Sequence, residues 1–377
     1  MTVHISSSDT ASSDFVELPY RLYKDDPAWR PPLRMERRAQ VSARKNPAMA
    51  RIAPRFFTAV RDGKTVGRIA AFTNSAHDAR YGSADAFFGY FDCEADRDAE
   101  DALLETAKTW AREQGRSRLV GPSMWSVNEE CGLLVDGFEH PPAVMMPYGR
   151  PSAVAAVERH GFSKIVDLQA YLADLRDGAP NGPVVRKLCA SAERDPGITW
   201  RPMDTSDFKA EVALAMDIFN DAWSDNWGFL PFSQAQIDHM ASEMRPIMFR
   251  EGFQVAYIDG EAAAFVWMIP DINEAVRDFG GSLLPLNWAK LLWRIKRGHV
   301  TKARIPLMGL RKVHQKTRRG VAAVCRINAA VFDAGHARGF EQSELSWILE
   351  DNEGVKRICG LADAELYKTY RMYAAEL

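Results

Sequence analysis

Two stretches of this chain are built alike. Residues 56–61 and 64–72 flank Asp62-Gly63, and residues 253–258 and 262–269 flank Asp259-Gly260. Asp-Gly between two runs rich in β-branched and aromatic residues is a strong local hairpin signal, because both central turn positions need positive φ. The elements around each hairpin follow a common plan. In the first half come a strand over 87–91 and a helix over 98–115. Leu103, Leu104, Ala107 and Trp110 stand at helical spacing in that helix, and Gly115 stops it. A strand at 119–122, a helix over 153–160 and a strand over 168–175 complete the set. In the second half the order is a strand at 200–203, a helix capped by Asp204, the hairpin, a strand over 304–310, a helix over 320–337, a strand over 344–349, a helix over 352–359 and a last strand over 364–373. A repeated alternation of strand and helix implies an internally duplicated α/β unit. The expected fold class is α/β (α+β), with two tandem repeats, each a mixed twisted sheet flanked by helices.

The length of 377 residues suits two cores better than one. Residues 1–14 are polar and read as a disordered tail. The first repeat is expected over 15–176 and the second over 198–377. Gly178, Pro180, Gly182, Pro183, Pro196 and Gly197 mark 177–197 as the linker, with a short helical segment between. Apolar residues make up 46% and charged residues 26%, which excludes a disordered or fibrous chain. The longest apolar run, 262–270, is far short of a bilayer span, and the opening residues lack an apolar signal segment. Five dispersed cysteines without a CxxC pair argue against a disulfide framework or a zinc site. The expectation is a cytoplasmic protein with no metal.

The net charge of −2 hides an asymmetry. Residues 279–332 contain twelve Lys or Arg and no Asp or Glu. A window this basic suits anions, whether coenzyme phosphates, lipid headgroups or nucleic acid. Within it, strand residues 305–310 lead into a basic loop, Arg311-Lys312-Val313-His314-Gln315-Lys316-Thr317-Arg318-Arg319, and then into a helix opening on Gly320-Val321-Ala322-Ala323. A helix N-terminus offers unpaired N–H groups and a positive dipole end, which suits a pyrophosphate.

This segment resembles the acetyl-CoA pyrophosphate loop of the GNAT acyltransferase superfamily, Gln/Arg-x-x-Gly-x-Gly/Ala. Gln315-Lys316-Thr317-Arg318-Arg319-Gly320 matches it with Arg318 in place of the first glycine. Residues 346–352 are similar to the strand and Asn that precede the superfamily's next helix, and 367–373 to its last strand. The resemblance implies acyl-CoA bound by Leu310, Lys312, Gln315, Lys316, Arg318, Arg319, Gly320, Val321 and Asn352. The first half lacks such a loop. Seven acids and one Arg fall between Asp92 and Glu105, a composition that repels a pyrophosphate. The whole chain resembles a bacterial family of tandem GNAT-like proteins through residues 121–123, 128–138, 219–223, 270–274 and 367–371. Some of that family look like ceramide synthases, which join a fatty acyl group to a long-chain amino alcohol.

Amide formation needs a base for the amine proton, a donor for the thioester oxyanion and an acid for the thiolate. His314 and Glu350 are the candidate bases, with Asp271 and Glu274 as alternatives. His314 reads equally as a phosphate contact, Glu350 as a helix cap, and Asp271 and Glu274 as loop-holding groups. The superfamily's usual Tyr is missing from residues 355–360, so Tyr370, with Tyr367 beside it, is carried as the acid. Asn220, Trp223 and Trp227 lie where the superfamily shapes its acceptor pocket, and Asp271 and Asn273 follow the second hairpin. Asn128 and Glu130 from the first repeat, with Glu129 as the alternative acid, are candidates to meet an ammonium. The segment 283–297 combines Trp288, Leu291, Leu292, Trp293 and Ile295 with only positive charges. It reads as an anionic-membrane contact or a lid over an acyl chain, and equally as a packed helix.

The expectation is therefore an acyl-CoA-dependent N-acyltransferase acting on a lipid amine such as sphinganine, with peripheral contact with the inner membrane and no nucleic acid partner. The rivals are a small-molecule or amino-acid N-acetyltransferase and a non-catalytic acyl-CoA- or membrane-binding scaffold.

Overall fold

The structure, a computed structural model, describes residues 2–377. The chain divides into two compact units. The first holds the residues up to Leu168, together with 276–288 and 368–377. The second holds Gln169–Ala275 and Ala289–Tyr367.

The first unit contains β1 (His4–Ser8), α1 (Ser13–Leu22), α2 (Arg34–Gln40), β2 (Ile52–Arg61), β3 (Lys64–Asn74), α3 (Ser75–Tyr81), β4 (Asp85–Cys93), α4 (Arg97–Glu113), β5 (Arg118–Gly121), β6 (Ser123–Met124), β7 (Ser126–Cys131), β8 (Leu133–Asp136) and α5 (Pro151–Arg159). β9 (Ser163–Asp174) leads onward into the second unit. Strands β1 to β5 pair in chain order, antiparallel except for β4 with β5, which are parallel. The hairpin turn is as expected: Asp62 and Gly63 have φ of 53° and 74°, the left-handed pair that a two-residue hairpin requires. Helix α4 buries Leu103, Leu104, Ala107 and Ala111 completely against Phe57, Ile69, Phe88 and Leu119. Each buried Leu is worth roughly 1.5–3 kcal/mol relative to exposure. Phe15, Phe56, Phe72, Tyr90 and Trp125 form a second apolar cluster. Residues 4–8 of the expected tail instead form a strand, because β1 is laddered onto β2 from His4 opposite Val60 to Ser8 opposite Phe56. Backbone bonds hold it together with Ile5, which packs against the core, so its Ser-rich sequence carries little apolar signature.

The second unit contains α6 (Pro183–Arg194), β10 (Ile198–Pro202), α7 (Phe208–Trp223), α8 (Gln234–Met244), β11 (Phe253–Ile258), β12 (Glu261–Pro270), most of α9 (Ile272–Val276) and α10 (Asn287–Lys296), β13 (Lys302–Leu310), α11 (Arg318–Ala337), β14 (Gln342–Leu349), α12 (Glu353–Leu361) and the start of β15 (Glu365–Glu376). The later part of β15 pairs with β5 and β8 in the first unit. Strands β10 to β13 are antiparallel, and β13 with β14 is parallel. The apolar run of β12 is buried on both faces, as a central strand requires. Ala322, Ala323, Ile327 and Val331 of α11 pack against Ala256, Val266 and Ile305. The stretch 177–197 carries α6, which packs on α11 and buries Val185 and Ala192. Pro183 stands in its first turn, where a missing N–H is harmless. The Pro and Gly signals there bound a helix. Among the described residues no helix is long and apolar enough to cross a membrane.

Candidate active site

In the second unit β13 and β14 pair only over 302–305 with 342–345, although both strands run on. The register of β13 against β12 shifts between Trp267 and Ile269, placing one extra residue on β13 at Ile305-Pro306. A bulge bends its strand, and Pro306 has no N–H to offer. Two parallel strands that stop pairing at a bulge open a wedge between them. Trp223 of α7 donates its Nε1 hydrogen to the Met308 carbonyl at 2.9 Å. Its ring lies edge-on to Trp347 at 5.8 Å and stacks on Phe219 at 5.0 Å. These contacts tie α7 to β13 and β14 just past their last paired rung.

The loop after β13 is folded by its own charges. Arg311 reaches Asp217 and the Ala262 carbonyl, and Lys312 pairs with Asp225. The Lys312 N–H donates to Asp221 at 2.8 Å. Gln315 donates to the Leu310 carbonyl at 3.0 Å. Arg319 is bound to both Asp195 and Asp259, which hold its guanidinium pKa above the usual Arg value. Thr317 caps α11, accepting from the Gly320 N–H at 3.0 Å and donating to the His314 carbonyl at 2.9 Å. A Cβ at Gly320 would stand 2.2 Å from the His314 oxygen, so only glycine lets the loop lie on the first turn. Lys316 and Arg318 are exposed and have no partner among the described residues. No acid occupies the first turn of α11. Two uncompensated cations at an acid-free helix N-terminus fit the phosphates of a nucleotide-bearing thioester. The other loop bases shape the loop.

At the last paired rungs before the wedge, Arg304 faces Glu344 across the ladder. Glu344 is 2% exposed and Arg304 4%. The Glu344 carboxylate accepts from the Ser346 and Tyr367 hydroxyls. Arg304 donates from Nε to the Ser346 Oγ at 2.9 Å and from a terminal nitrogen to its carbonyl at 3.1 Å. Buried charges persist only when paired and hydrogen-bonded, and this cluster meets both conditions. Sequence reasoning missed Arg304, Ser346 and Glu344. The available signal was a charge within each of two apolar strand runs.

The remaining candidates are dispersed. His314 is half-buried in the loop. The Glu350 carbonyl accepts from Lys356 at 2.7 Å, and Asn352 caps α12 through the Val355 N–H. The Asn220 side-chain oxygen is buried without a partner among the described residues, one turn before Trp223. Trp227 lies in the loop after α7, and Val321 is exposed on α11. Asp271 accepts from the Asn273 N–H at 3.1 Å and so shapes its own loop. Tyr370 is fully buried in β15 opposite Leu134, within the first unit. Glu130 and Asn128 are also in the first unit, where Glu130 pairs with Arg37 at 2.6 Å and the Asn128 N–H donates to Ser126. Around its wedge and loop the second unit thus gathers Asn220, Trp223, Leu310, Lys312, His314, Gln315, Lys316 and 318–321.

A parallel strand pair opening at a bulge, followed by a basic loop and a capped helix, defines a GNAT-type acyltransferase unit. The first unit repeats the plan, so the protein is a tandem GNAT. The fold matches a tandem GNAT protein from the clavulanic acid biosynthesis pathway with a TM-score of 0.58 at 14% identity, covering 99% of this chain and 98% of that one. No family model matches the sequence. Bacterial ceramide synthase from Caulobacter vibrioides is 38% identical over 364 residues, 96% of this chain and 94% of its own length. Protein YghO of Escherichia coli is 37% identical over 363 residues, 96% of this chain and 92% of its own. The chain belongs to the bacterial ceramide synthase-like family of tandem GNAT acyltransferases.

Proposed function

We propose that this N-acyltransferase moves a long-chain acyl group from acyl-CoA to a lipid amine such as sphinganine. The observation that carries the coenzyme half is the wedge beside α11. Its unpaired Lys316 and Arg318 would hold the pyrophosphate, and the separated strands would take the pantetheine arm. In the reaction the neutral amine attacks the thioester carbonyl, the C–N bond forms, the C–S bond breaks and the thiolate leaves. The amine's proton needs an acceptor within reach of the wedge. We assign the relay to the Tyr367–Glu344–Ser346 hydroxyl–carboxylate chain. His314 is assigned to the phosphates and Glu350 to the turn before α12. Asn220, Trp223 and Trp227 would shape the acceptor side.

The lipid half rests on the ceramide synthase relative and on the segment 284–293. There Leu284, Leu286, Trp288, Leu292 and Trp293 are 49–75% exposed. Lys290 and Arg297 are exposed too, within the acid-free window. Exposed Trp and Leu among positive charges suit the surface of an anionic bilayer. We assign this segment to peripheral membrane contact.

Thiol release should be followed with acetyl-CoA and with palmitoyl-CoA, with and without sphinganine, and the product weighed by mass spectrometry. The expected result is release that needs both palmitoyl-CoA and sphinganine and yields a ceramide. Release with acetyl-CoA alone moves the assignment to a small-amine acetyltransferase. No release and no coenzyme binding overturns the role given to residues 315–320.

A further inference from the structure

The first unit holds a polar cluster that a coenzyme site does not explain. Strand β7 sets Glu129 and Glu130 side by side. Helix α2 brings Arg37 and Gln40 to them. Glu130 is paired with Arg37 at 2.6 Å, the two side chains being only 12% and 21% exposed. Nearby, Arg68 pairs with Asp92 at 2.6 Å. Each of these pairs balances. Glu129 does not: it has no ion-pair partner among the described residues, and its carboxylate meets the Gln40 amide only at 3.4 Å. Burial, with the Glu130 charge adding to it, pushes the Glu129 carboxyl up to about 8, against the pull of the Gln40 and Asn46 amides and of Arg37.

A second, independent feature lies beside it. Tyr90 is 5% exposed, and its hydroxyl is buried without a hydrogen-bond partner among the described residues. The charges of Glu129, Arg37 and Glu130 all act on that phenol. An orphaned buried hydroxyl is rare and calls for a reason. Tyr90 also sits at φ of 54° inside strand β4, where the register against β3 shifts between Arg68 and Ala70. A bulky residue in the left-handed region stores strain, and such strain collects at ligand sites. The frame is firm: the Gln40 carbonyl accepts from the Trp125 Nε1 at 3.0 Å and from the Asn46 amide at 3.0 Å.

An unbalanced carboxylate beside an unpartnered phenol has the chemistry to recognise a primary ammonium. We propose that Glu129, Tyr90 and Gln40 form a site in the first unit that binds the primary ammonium of an amino alcohol. This assignment stands apart from the N-acylation reading. The ammonium supplies the missing charge to Glu129. The Tyr90 oxygen accepts from it, and the Tyr90 hydrogen is left for a hydroxyl on the neighbouring carbon of an amino alcohol.

The test is calorimetric binding of octylamine to the full-length protein, with octanol as the uncharged control. Glu129→Gln keeps the shape and removes the charge; Tyr90→Phe removes only the orphaned hydroxyl. Octylamine, not octanol, should bind wild type, and Glu129→Gln should weaken it at least about tenfold, the scale of one charge-assisted hydrogen bond. Affinity should rise roughly fiftyfold from pH 6 to pH 8, because only the ionised carboxylate receives the cation. Tyr90→Phe should weaken binding while leaving thermal stability equal or higher, a split that a purely structural tyrosine does not give. Octylamine bound equally by wild type and Glu129→Gln overturns the proposal, and so does no octylamine binding at pH 8. If amide synthesis is absent but charge-dependent octylamine binding persists, the site stands and the N-acylation reading falls.

Discussion

Gly320→Ala is the sharpest test of how the coenzyme loop is built. The new Cβ would lie 2.2 Å from the His314 carbonyl oxygen and 2.9 Å from the His314 Cβ. A carbon–oxygen contact needs about 3.2 Å, so the loop must lift by roughly 1 Å. Both obstacles belong to a main-chain turn and to a side chain rooted in it, and neither is the free end of a flexible group. Lifting the turn also pulls the His314 carbonyl from the Thr317 hydroxyl and the Gly320 N–H from its cap. Overpacking of this kind costs about 1–3 kcal/mol and a lost cap about 0.5–2 kcal/mol. The unfolding free energy should therefore drop by about 2–4 kcal/mol in urea titration. The loop displacement should cost at least about tenfold in palmitoyl-CoA affinity by calorimetry. Gly360→Ala is the control. Nothing lies within 4 Å of its added Cβ, and it sits in α12. There alanine should be neutral or stabilise by about 0.5–1 kcal/mol. A Gly320→Ala protein with wild-type stability and wild-type coenzyme affinity would refute the close-approach argument and the loop's role with it.

Three further results are expected. Arg304→Met leaves Glu344 buried without its cation and should destabilise by about 3–5 kcal/mol, whereas Glu344→Gln keeps the hydrogen-bonding shape and should fold, yet lose about 10²–10⁴ in kcat if its carboxylate relays the amine proton; full turnover by Glu344→Gln removes it from the chemistry. The Glu129 carboxyl, held near 8 against an ordinary 4.5, keeps a proton in the folded state that the unfolded chain gives up. Stability should therefore fall as pH rises from about 4.5 to 8 and level off above. The full shift corresponds to about 5 kcal/mol, trimmed by solvent screening of a half-buried group to about 2–4 kcal/mol, and Glu129→Gln should abolish that slope in urea titrations at pH 5 and pH 8.5. Trp288→Ala with Trp293→Ala should reduce co-sedimentation with phosphatidylglycerol-containing vesicles at least about tenfold, and raised salt should weaken wild-type binding as well. Equal binding to pure phosphatidylcholine vesicles would remove the electrostatic half of that assignment.

The elements that carry their own periodicity were legible in the sequence. The two Asp-Gly hairpins, the α4 stripe and the strand–loop–helix at 305–323 each satisfy a local rule, so each could be read without knowing what it packs against. The polar strand β1 could not, because much of its stability comes from a ladder to partners 48–56 residues further along the chain. The helical segment inside 177–197 was legible, but not its packing, because the apolar positions of α6 answer to α11. In the site, the loop cations were visible but not their division of labour. Arg311, Lys312 and Arg319 are matched to Asp217, Asp225, Asp195 and Asp259, acids scattered over 65 positions of chain that only the fold collects. The Arg304–Glu344 pair was hidden for the same reason. A charge inside a strand reads as a misplaced residue until the register puts its opposite across from it.

The two repeats share a plan, and their differences explain why one of them is suited to a coenzyme. In the second unit the parallel strands part at a bulge and the next helix begins with Thr317 and no acid. In the first unit the corresponding space is taken by the chain itself. A Cβ at Gly89 of β4 would stand 2.0 Å from the Ser123 oxygen, and one at Gly121 would stand 2.3 Å from the Phe88 oxygen, so β4 and the start of β6 are in backbone contact. The next helix is capped by Asp96, which also binds Arg61, and carries Asp98 and Glu100 in its first turn. Those carboxylates already satisfy the helix dipole and would repel a phosphate. In the first unit, then, backbone contact lies where the second unit's strands part, and acids stand at the helix start. What it keeps behind β4 is the reverse polarity, an unbalanced Glu129 beside the orphaned Tyr90 hydroxyl. A repeat whose helix start is acidic and which holds the half-buried, uncompensated Glu129 is better fitted to a cationic ligand than to an anionic one.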